Sequence, residues 1–342
     1  MDILLLERLL PEAEAWLAAR HSIAYVPELA AADPATLRKA IYKTGAMVLP
    51  RKFVLTREVL DFAPLLKAVA RLHGSSDNTD LEACRERRVR VIQSTTANVR
   101  SNAEYLLAGL LMMFRRGIAA PLVGERHAPL RMGRELHGSV VGLLGLAPTA
   151  HALALMLQSL GAKLIGYDPA VHHTAPSWAR LRVQPVGIEQ LMAQSDAISV
   201  QVLYASRYQG FINAKVLQHC KPGQTWVGIT RSALFDPHAL AAALHDGRIE
   251  AALLDGAEAG FASRGSPLHD LDNLMLTPRL GAHTREARLR ASWYVAHRLH
   301  EALTAPRHTG FEVLSARMDL DGPQSEPPQT RAGVSVPGLL GA

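Results

Sequence analysis

The chain has 342 residues, 48% of them hydrophobic and 20% charged, with a formal net charge of +6. That length allows about two domains with sizeable cores, and that composition excludes an intrinsically disordered chain. Two cysteines, Cys84 and Cys220, lie far apart with no CxxC spacing, which excludes a disulfide scaffold and a cysteine-based structural zinc and fits a reducing cytoplasm. No apolar run reaches the ~18 residues of a membrane span. The nearest is YLLAGLLMMF at 105–114, flanked by Glu104, Arg115 and Arg116, and it reads as a buried helix. The start, MDILLLERLL, lacks the basic opening of a secretory signal. The densest basic run, RERRVRV at 85–91, carries no recognition motif and no interleaved aromatics. A small anionic substrate therefore explains the charge more simply than nucleic acid.

In chain order, strand and helix alternate. MDILLL reads as a strand, LPEAEAWLAAR as a helix, AYVP as a short strand, and ADPATLRKAIYKT as a helix capped by Asp33 ahead of Pro34. AMVLP (strand), LTREVLDFAP (helix with a threonine cap), LKAVARL (strand), DLEACRERR (helix) and VRVIQS (strand) continue the series. A long helix, SNAEYLLAGLLMMFRR, and an irregular crossing, GIAAPLVGERHAPLRMGRELHG, lead to a second run. That run takes VVGLLGL, KLIGYD, AISVQVL, TWVGIT, AALLDG and LMLTP as strands. PTAHALALMLQSLG, IEQLMAQS, AKVLQHC and PHALAAALHDG are its helices, and REARLRASWYVAHRLHEALT is a helix leading back out. Pro, Gly, Ser and Gln then dominate, and 317–342 reads as a mobile tail. No hairpin-type turn interrupts the alternation, which predicts an α/β fold with parallel sheets covered on both faces.

One stretch, VVGLLGLAPTAHALALMLQSLGAKLIGYDP, has the outline of a dinucleotide site. The three glycines of GxGxxG make a tight turn, admit the pyrophosphate, and let helix and strand pack closely. Here those places hold Gly145, Ala147 and Ala150. Gly145 keeps the turn, and Ala150 is small enough for close packing. Ala147 adds a methyl where the cofactor approaches. Pro148 removes one N–H donor while suiting the first position of a helix. Thr149 offers an N–H and a hydroxyl in compensation. Asp168 stands about 20 residues on, where an acid takes the ribose hydroxyls and disfavours a 2′-phosphate, favouring NADH over NADPH. The alternative is a plain turn aspartate ahead of Pro169.

Five motifs in sequence order resemble those of the D-isomer-specific 2-hydroxyacid dehydrogenases, over about 66–303. RLHGSSDNTDLEA is similar to the substrate-domain loop, and NVRSNAEYLLAGLLMMFRR to the interdomain helix. LHGSVVGLLGL with GYDP is similar to the cofactor entry, KPGQTWVGITRSALFDPHALAAALHDGRIEAALLDGAE to the longest signature, and SPLHDLDNLMLTPRLGAHT to the closing one. The resemblance implies two doubly wound parallel-sheet domains with a cleft between them. One is a flavodoxin-like substrate domain, 1–105 with 293–316; the other is a Rossmann cofactor domain, 106–292. It also implies NAD as cofactor and a homodimer.

The resemblance further implies that an arginine grips the substrate carboxylate while a histidine, oriented by a glutamate, moves the proton. The arginine is Arg231, whose fork suits a carboxylate, and the glutamate is Glu258. Asp255 matches the acid that contacts the nicotinamide amide. Gly74, Ser75 and Ser76 match the loop that holds the substrate carboxylate. Directly after Thr277-Pro278, where the family has its histidine, stands Arg279. Arginine stabilises an anion but stays protonated and cannot serve as a base near neutral pH. His283, four residues on, is the obvious substitute, although a histidine there is also a common family variant without a catalytic role, and His73 is another candidate. His172 and His173 read as exposed loop with no metal-ligand spacing, so no metal is expected. Gln201 and Leu203 replace a histidine and a proline usual in the family.

Two functions stay open at this point. One is an NAD-dependent oxidoreductase of a small 2-hydroxy or 2-oxo acid with altered acid/base chemistry. The other is a catalytically degenerate relative that binds a ligand or protein partner. A substrate with a second anionic group would give Arg279 a purpose.

Overall fold

The computed structural model describes residues 1–74, 78–115, 132–304 and, as backbone, 313–315. The expected tail at 317–342 and most of the irregular crossing lie outside the described residues. The chain divides into two compact units, Met1–Ser94 with Ser292–Ala342, and Thr95–Ala291. The sequence reading had drawn those boundaries at 105 and 293.

The first unit holds β1 (Ile3–Leu5), β2 (Ile23–Tyr25), β3 (Ala46–Val48), β4 (Ala68–Arg71), β5 (Arg90–Gln93) and β13 (Val313–Ser315). They form one six-stranded sheet in the order β13-β5-β4-β3-β1-β2, and every pair is parallel. The central strands β1 and β3 are continuous apolar runs because both of their faces are buried. Ile3, Leu5 and Val48 pack on one face with Val295 and Leu299 of the helix Arg285–Thr304. Leu4, Met47 and Val69 pack on the other with Leu37 and Ile41 of the helix Pro34–Ile41. Asp33 caps that helix, accepting from Ala35 N at 3.0 Å and Thr36 N at 3.1 Å. Strand β13 is absent from the sequence reading, because three residues carry too little periodicity to announce a strand.

The second unit holds β6 (Val140–Leu144), β7 (Lys163–Tyr167), β8 (Gln184–Pro185), β9 (Ala197–Val200), β10 (Gln224–Gly228), β11 (Ile249–Asp255) and β12 (Leu274–Thr277). Their order is β12-β11-β10-β9-β6-β7-β8, again all parallel. The chain runs outward from β6 through β8, then returns to the other side of β6 at β9. The strand order thus reverses between β6 and β9, and the carboxyl ends of strands at such a reversal are where sheets of this kind take ligands. The helix Val99–Phe114 belongs wholly to this unit and buries Leu106, Leu110 and Met113 against Val227 and Leu253. It approaches so closely that a Cβ on Gly109 would lie 2.9 Å from Leu253 Cδ2. The sequence reading passed over β8 and the short helix Pro176–Arg180. No helix among the described residues is long and apolar enough to cross a membrane.

At the end of β4 a cation is buried. Arg71 is 1% exposed. It donates to Thr79 Oγ1 (3.0 Å) and to the carbonyls of Pro50 (2.9 Å), Phe53 (2.9 Å) and Asn78 (2.7 Å). Burial pulls its pKa below the ordinary arginine value. The residue thus ties two loops to one strand end. Arg71→Met should lower the unfolding free energy by about 3 kcal/mol, since buried carbonyls lose their donors. Urea unfolding measures this; a loss below about 1 kcal/mol would show that the loops hold without it.

Candidate functional site

In the second unit the candidate residues follow the last residues of β6, β7, β10, β11 and β12, and so line one edge of the sheet. Gly145 follows β6 with φ of 102°. A Cβ there would lie 2.5 Å from Val202 N and 2.7 Å from Val202 Cα. Both are backbone atoms that cannot swing aside, so glycine is obligatory. Gln201, buried beside it, donates Nε2 to the Gly145 carbonyl at 2.9 Å and accepts from Ser199 Oγ at 2.7 Å. Gln201 therefore closes the turn with a hydrogen bond.

Ala147 is extended (φ −61°, ψ 161°) and opens the helix Pro148–Ser159, with Pro148 in the first turn. Its methyl is buried, as are Thr149 and Ala150. Asp168 follows β7 and is tied to the turn, with Oδ2 accepting from Leu146 N at 2.6 Å and Oδ1 from Ala170 N at 2.7 Å. An ionised carboxylate has about four acceptor sites, so both oxygens retain capacity.

Arg231 opens the short turn Ser232–Leu234 after β10. Its Nε lies 3.8 Å from Glu258 Oε1, and the two side chains are 42% and 40% exposed. Glu258 Oε2 accepts from Ser232 N at 2.8 Å and from the Ser232 hydroxyl. The Arg231 guanidinium carbon lies 5.5 Å from the centre of the Tyr204 ring. Burial acts to raise the Glu258 pKa, but the Ser232 hydrogen bonds and the Arg231 charge prevail and hold it below the ordinary carboxylate value. Glu258 is therefore an anion at neutral pH.

Asp255 ends β11 and is 7% exposed. Its Oδ1 accepts from Thr277 Oγ1 (2.6 Å) and Leu280 N (2.8 Å), and its Oδ2 from Gly281 N (2.9 Å). Tyr105 OH meets the same Thr277 hydroxyl at 2.6 Å. Asp255 thus shapes the loop that carries Arg279. Arg279 is exposed, in the left-handed region at φ 62°. Its side chain lies across Gly256, where a Cβ would come within 2.9 Å of Arg279 Cγ. A left-handed non-glycine residue costs roughly 1–2 kcal/mol, and the bonds to Asp255 hold it there. His283 is exposed on the same loop, its N–H donating to Leu280 O at 3.0 Å.

Gly74 lies exposed past β4 in the first unit, near half-buried His73, while Ser75 and Ser76 lie outside the described residues. His172 and His173 are exposed, their rings 4.1 Å apart. Among the described residues no group of three His, Cys, Asp or Glu side chains could hold a metal. Ser232 and Tyr204 are contacts that the sequence does not single out, and Thr277 enters there only as a motif position, not as a partner of Asp255. A serine adjoining Arg231 was the available signal, but its partner lies 26 positions away.

Replacing Asp255 by Asn should free the Arg279 loop, because one oxygen becomes a donor facing other donors. The expected loss is about 2 kcal/mol of local stability, with faster amide hydrogen exchange at Leu280 and Gly281. Unchanged protection at those amides would show that the loop is held by other contacts.

Residues 110–281 match the family model for the NAD binding domain of the D-isomer specific 2-hydroxyacid dehydrogenases. The (S)-sulfolactate dehydrogenase of Chromohalobacter salexigens is 32% identical over 79% of this chain and 88% of its own length. A D-3-phosphoglycerate dehydrogenase of Mycobacterium tuberculosis is 33% identical over 88% of this chain, which spans 56% of that relative's length. The fold is similar to the D-mandelate dehydrogenase of Rhodotorula graminis, with TM-score 0.75, 21% identity, and coverage of 92% and 99% of the two chains. The chain belongs to the D-isomer-specific 2-hydroxyacid dehydrogenase family.

Proposed function

We propose that this protein is an NAD-dependent oxidoreductase that interconverts a small 2-hydroxy acid and the matching 2-oxo acid. The observation that carries this reading is the half-exposed Arg231–Glu258 pair, set on the same sheet edge as the obligatory Gly145 turn. The residues fit a dinucleotide. The turn lies at the switch point, and the helix Pro148–Ser159 presents its N-terminus there, a setting that favours phosphate. Pro148 leaves one donor fewer, and Thr149 contributes its N–H. Asp168 takes the ribose hydroxyls, and its charge opposes a 2′-phosphate, so NADH is preferred. Asp255 keeps one acceptor site beyond its three donors, and we assign that site to the nicotinamide amide.

The bound nicotinamide supplies or takes up the hydride. Arg231 binds the substrate carboxylate through its guanidinium fork. Ionised Glu258 keeps that fork in place. Arg279 stabilises negative charge on the substrate oxygen and takes no part as a base. His283 is the titratable group on the same loop, and we assign it the proton. Two arginines suit a substrate with a second anionic group beyond its carboxylate. The names of two relatives, sulfolactate and phosphoglycerate dehydrogenase, denote such acids. A homodimer in a reducing cytoplasm completes the reading, consistent with Cys84 and Cys220 being buried free thiols.

Calorimetric titration of ligand-stripped protein should give micromolar binding of NADH and weaker binding of NADPH. No binding of either at millimolar concentration would remove the oxidoreductase reading in favour of a ligand-binding relative. Arg279→His should raise kcat for a 2-oxo acid with one carboxylate, because a titratable ring returns. The same change should raise KM for a sulfonated or phosphorylated acid about tenfold or more, through one lost charge-assisted bond. An unchanged KM for the second class would remove Arg279 from the substrate.

A further inference from the structure

Ser232 follows Arg231 directly, yet its bonds go to Glu258. The backbone N–H donates to Glu258 Oε2 at 2.8 Å, and the hydroxyl donates to the same oxygen. The hydroxyl oxygen also lies 3.3 Å from the Glu258 N–H and accepts from it. Three bonds therefore join a residue that is 7% exposed to one whose side chain is 40% exposed. The carboxylate is held along one edge and presents the other edge, Oε1, to Arg231 Nε at 3.8 Å. Tyr204 lies against the guanidinium from a second side.

An exposed arginine–glutamate pair is weak by itself. Holding two long side chains in one geometry costs rotamer entropy, and solvent screens their attraction. Here the glutamate is already fixed when it meets the arginine. Its ordering is supplied by a buried residue one peptide bond from that arginine, so the three groups close a small ring of contacts. A carboxylate accepting these donors serves as an anchor for the neighbouring cation.

We infer that Ser232 is a positioning residue, which fixes Glu258 and through it sets the Arg231 guanidinium where the substrate carboxylate docks. The inference rests on the proposed oxidoreductase reading. Substrate binding should depend on the serine hydroxyl, while cofactor binding should not. Loss of the hydroxyl also removes a donor to the ionised form of Glu258, so its carboxyl should titrate at higher pH.

The test compares Ser232→Ala and Ser232→Thr with the wild type as full chains. Steady-state kinetics use NADH and the 2-oxo acid that the wild type reduces fastest among glyoxylate, pyruvate, sulfopyruvate and phosphohydroxypyruvate. Carbon-13 NMR follows the Glu258 carboxyl through an acid titration. Ser232→Ala should raise KM for the acid about tenfold, keep kcat within about threefold, leave NADH affinity unchanged, and raise the Glu258 titration point. Ser232→Thr, which restores the hydroxyl, should recover KM. An unchanged KM in Ser232→Ala, or equal losses of KM and NADH affinity, overturns the inference. Absence of turnover with every acid removes the oxidoreductase reading, and the titration then decides the serine alone. An upward shift supports its hold on Glu258; an unchanged titration overturns it.

Discussion

The candidate site depends on one close approach. Where β6 ends, the backbone of Gly145 passes so near to Val202 that a single methyl would meet the Val202 nitrogen at 2.5 Å. The φ of 102° adopted there is open to glycine at little cost. This contact brings the ends of β6 and β9 together at the point where the sheet reverses direction. Gln201 then ties the Gly145 carbonyl to Ser199. A turn fastened in this way keeps its shape although two of the three glycines of the motif are replaced.

Around that turn, three carboxylates act as fasteners. Asp168 holds Leu146 N and Ala170 N. Asp255 holds the Thr277 hydroxyl and two amides of the Arg279 loop. Glu258 holds both donors of Ser232. Each carboxylate accepts from neutral backbone or hydroxyl donors, and Glu258 turns its second oxygen toward Arg231. Arg231 and Arg279 are then presented from an ordered edge. That is the electrostatic arrangement expected for an anionic substrate in a protein of net charge +6.

Much of this was legible in the sequence. Hydrophobic periodicity marked nearly every strand and helix, and local chemistry marked the caps at Asp33 and Thr56, whose side chains accept from the first-turn amides. The Gly145 turn and Asp168 were visible because a tight turn and a strand-end acid sit close together in sequence. The anchoring of Glu258 by Ser232 was not visible, nor was the control of the Arg279 loop by Asp255. Those contacts join residues on different strand ends. Nothing in the local pattern of either partner states which strand will lie beside which. Strand β13 escaped for a related reason, since its place depends on pairing with β5 and not on its own three residues.

By itself, then, the sequence determined the α/β alternation, the parallel sheets, the family and the identity of the charged groups, because these follow from side-chain period and from motifs a few residues long. Only the tertiary structure decided what those groups touch. It turned Asp255 into the support of a loop, laid Arg279 across Gly256, and set Ser232 beneath Glu258. The physical reason is that a hydrogen bond acts only within about 3 Å, and residues more than 20 positions apart come that close only after the strands have taken their order in the sheet.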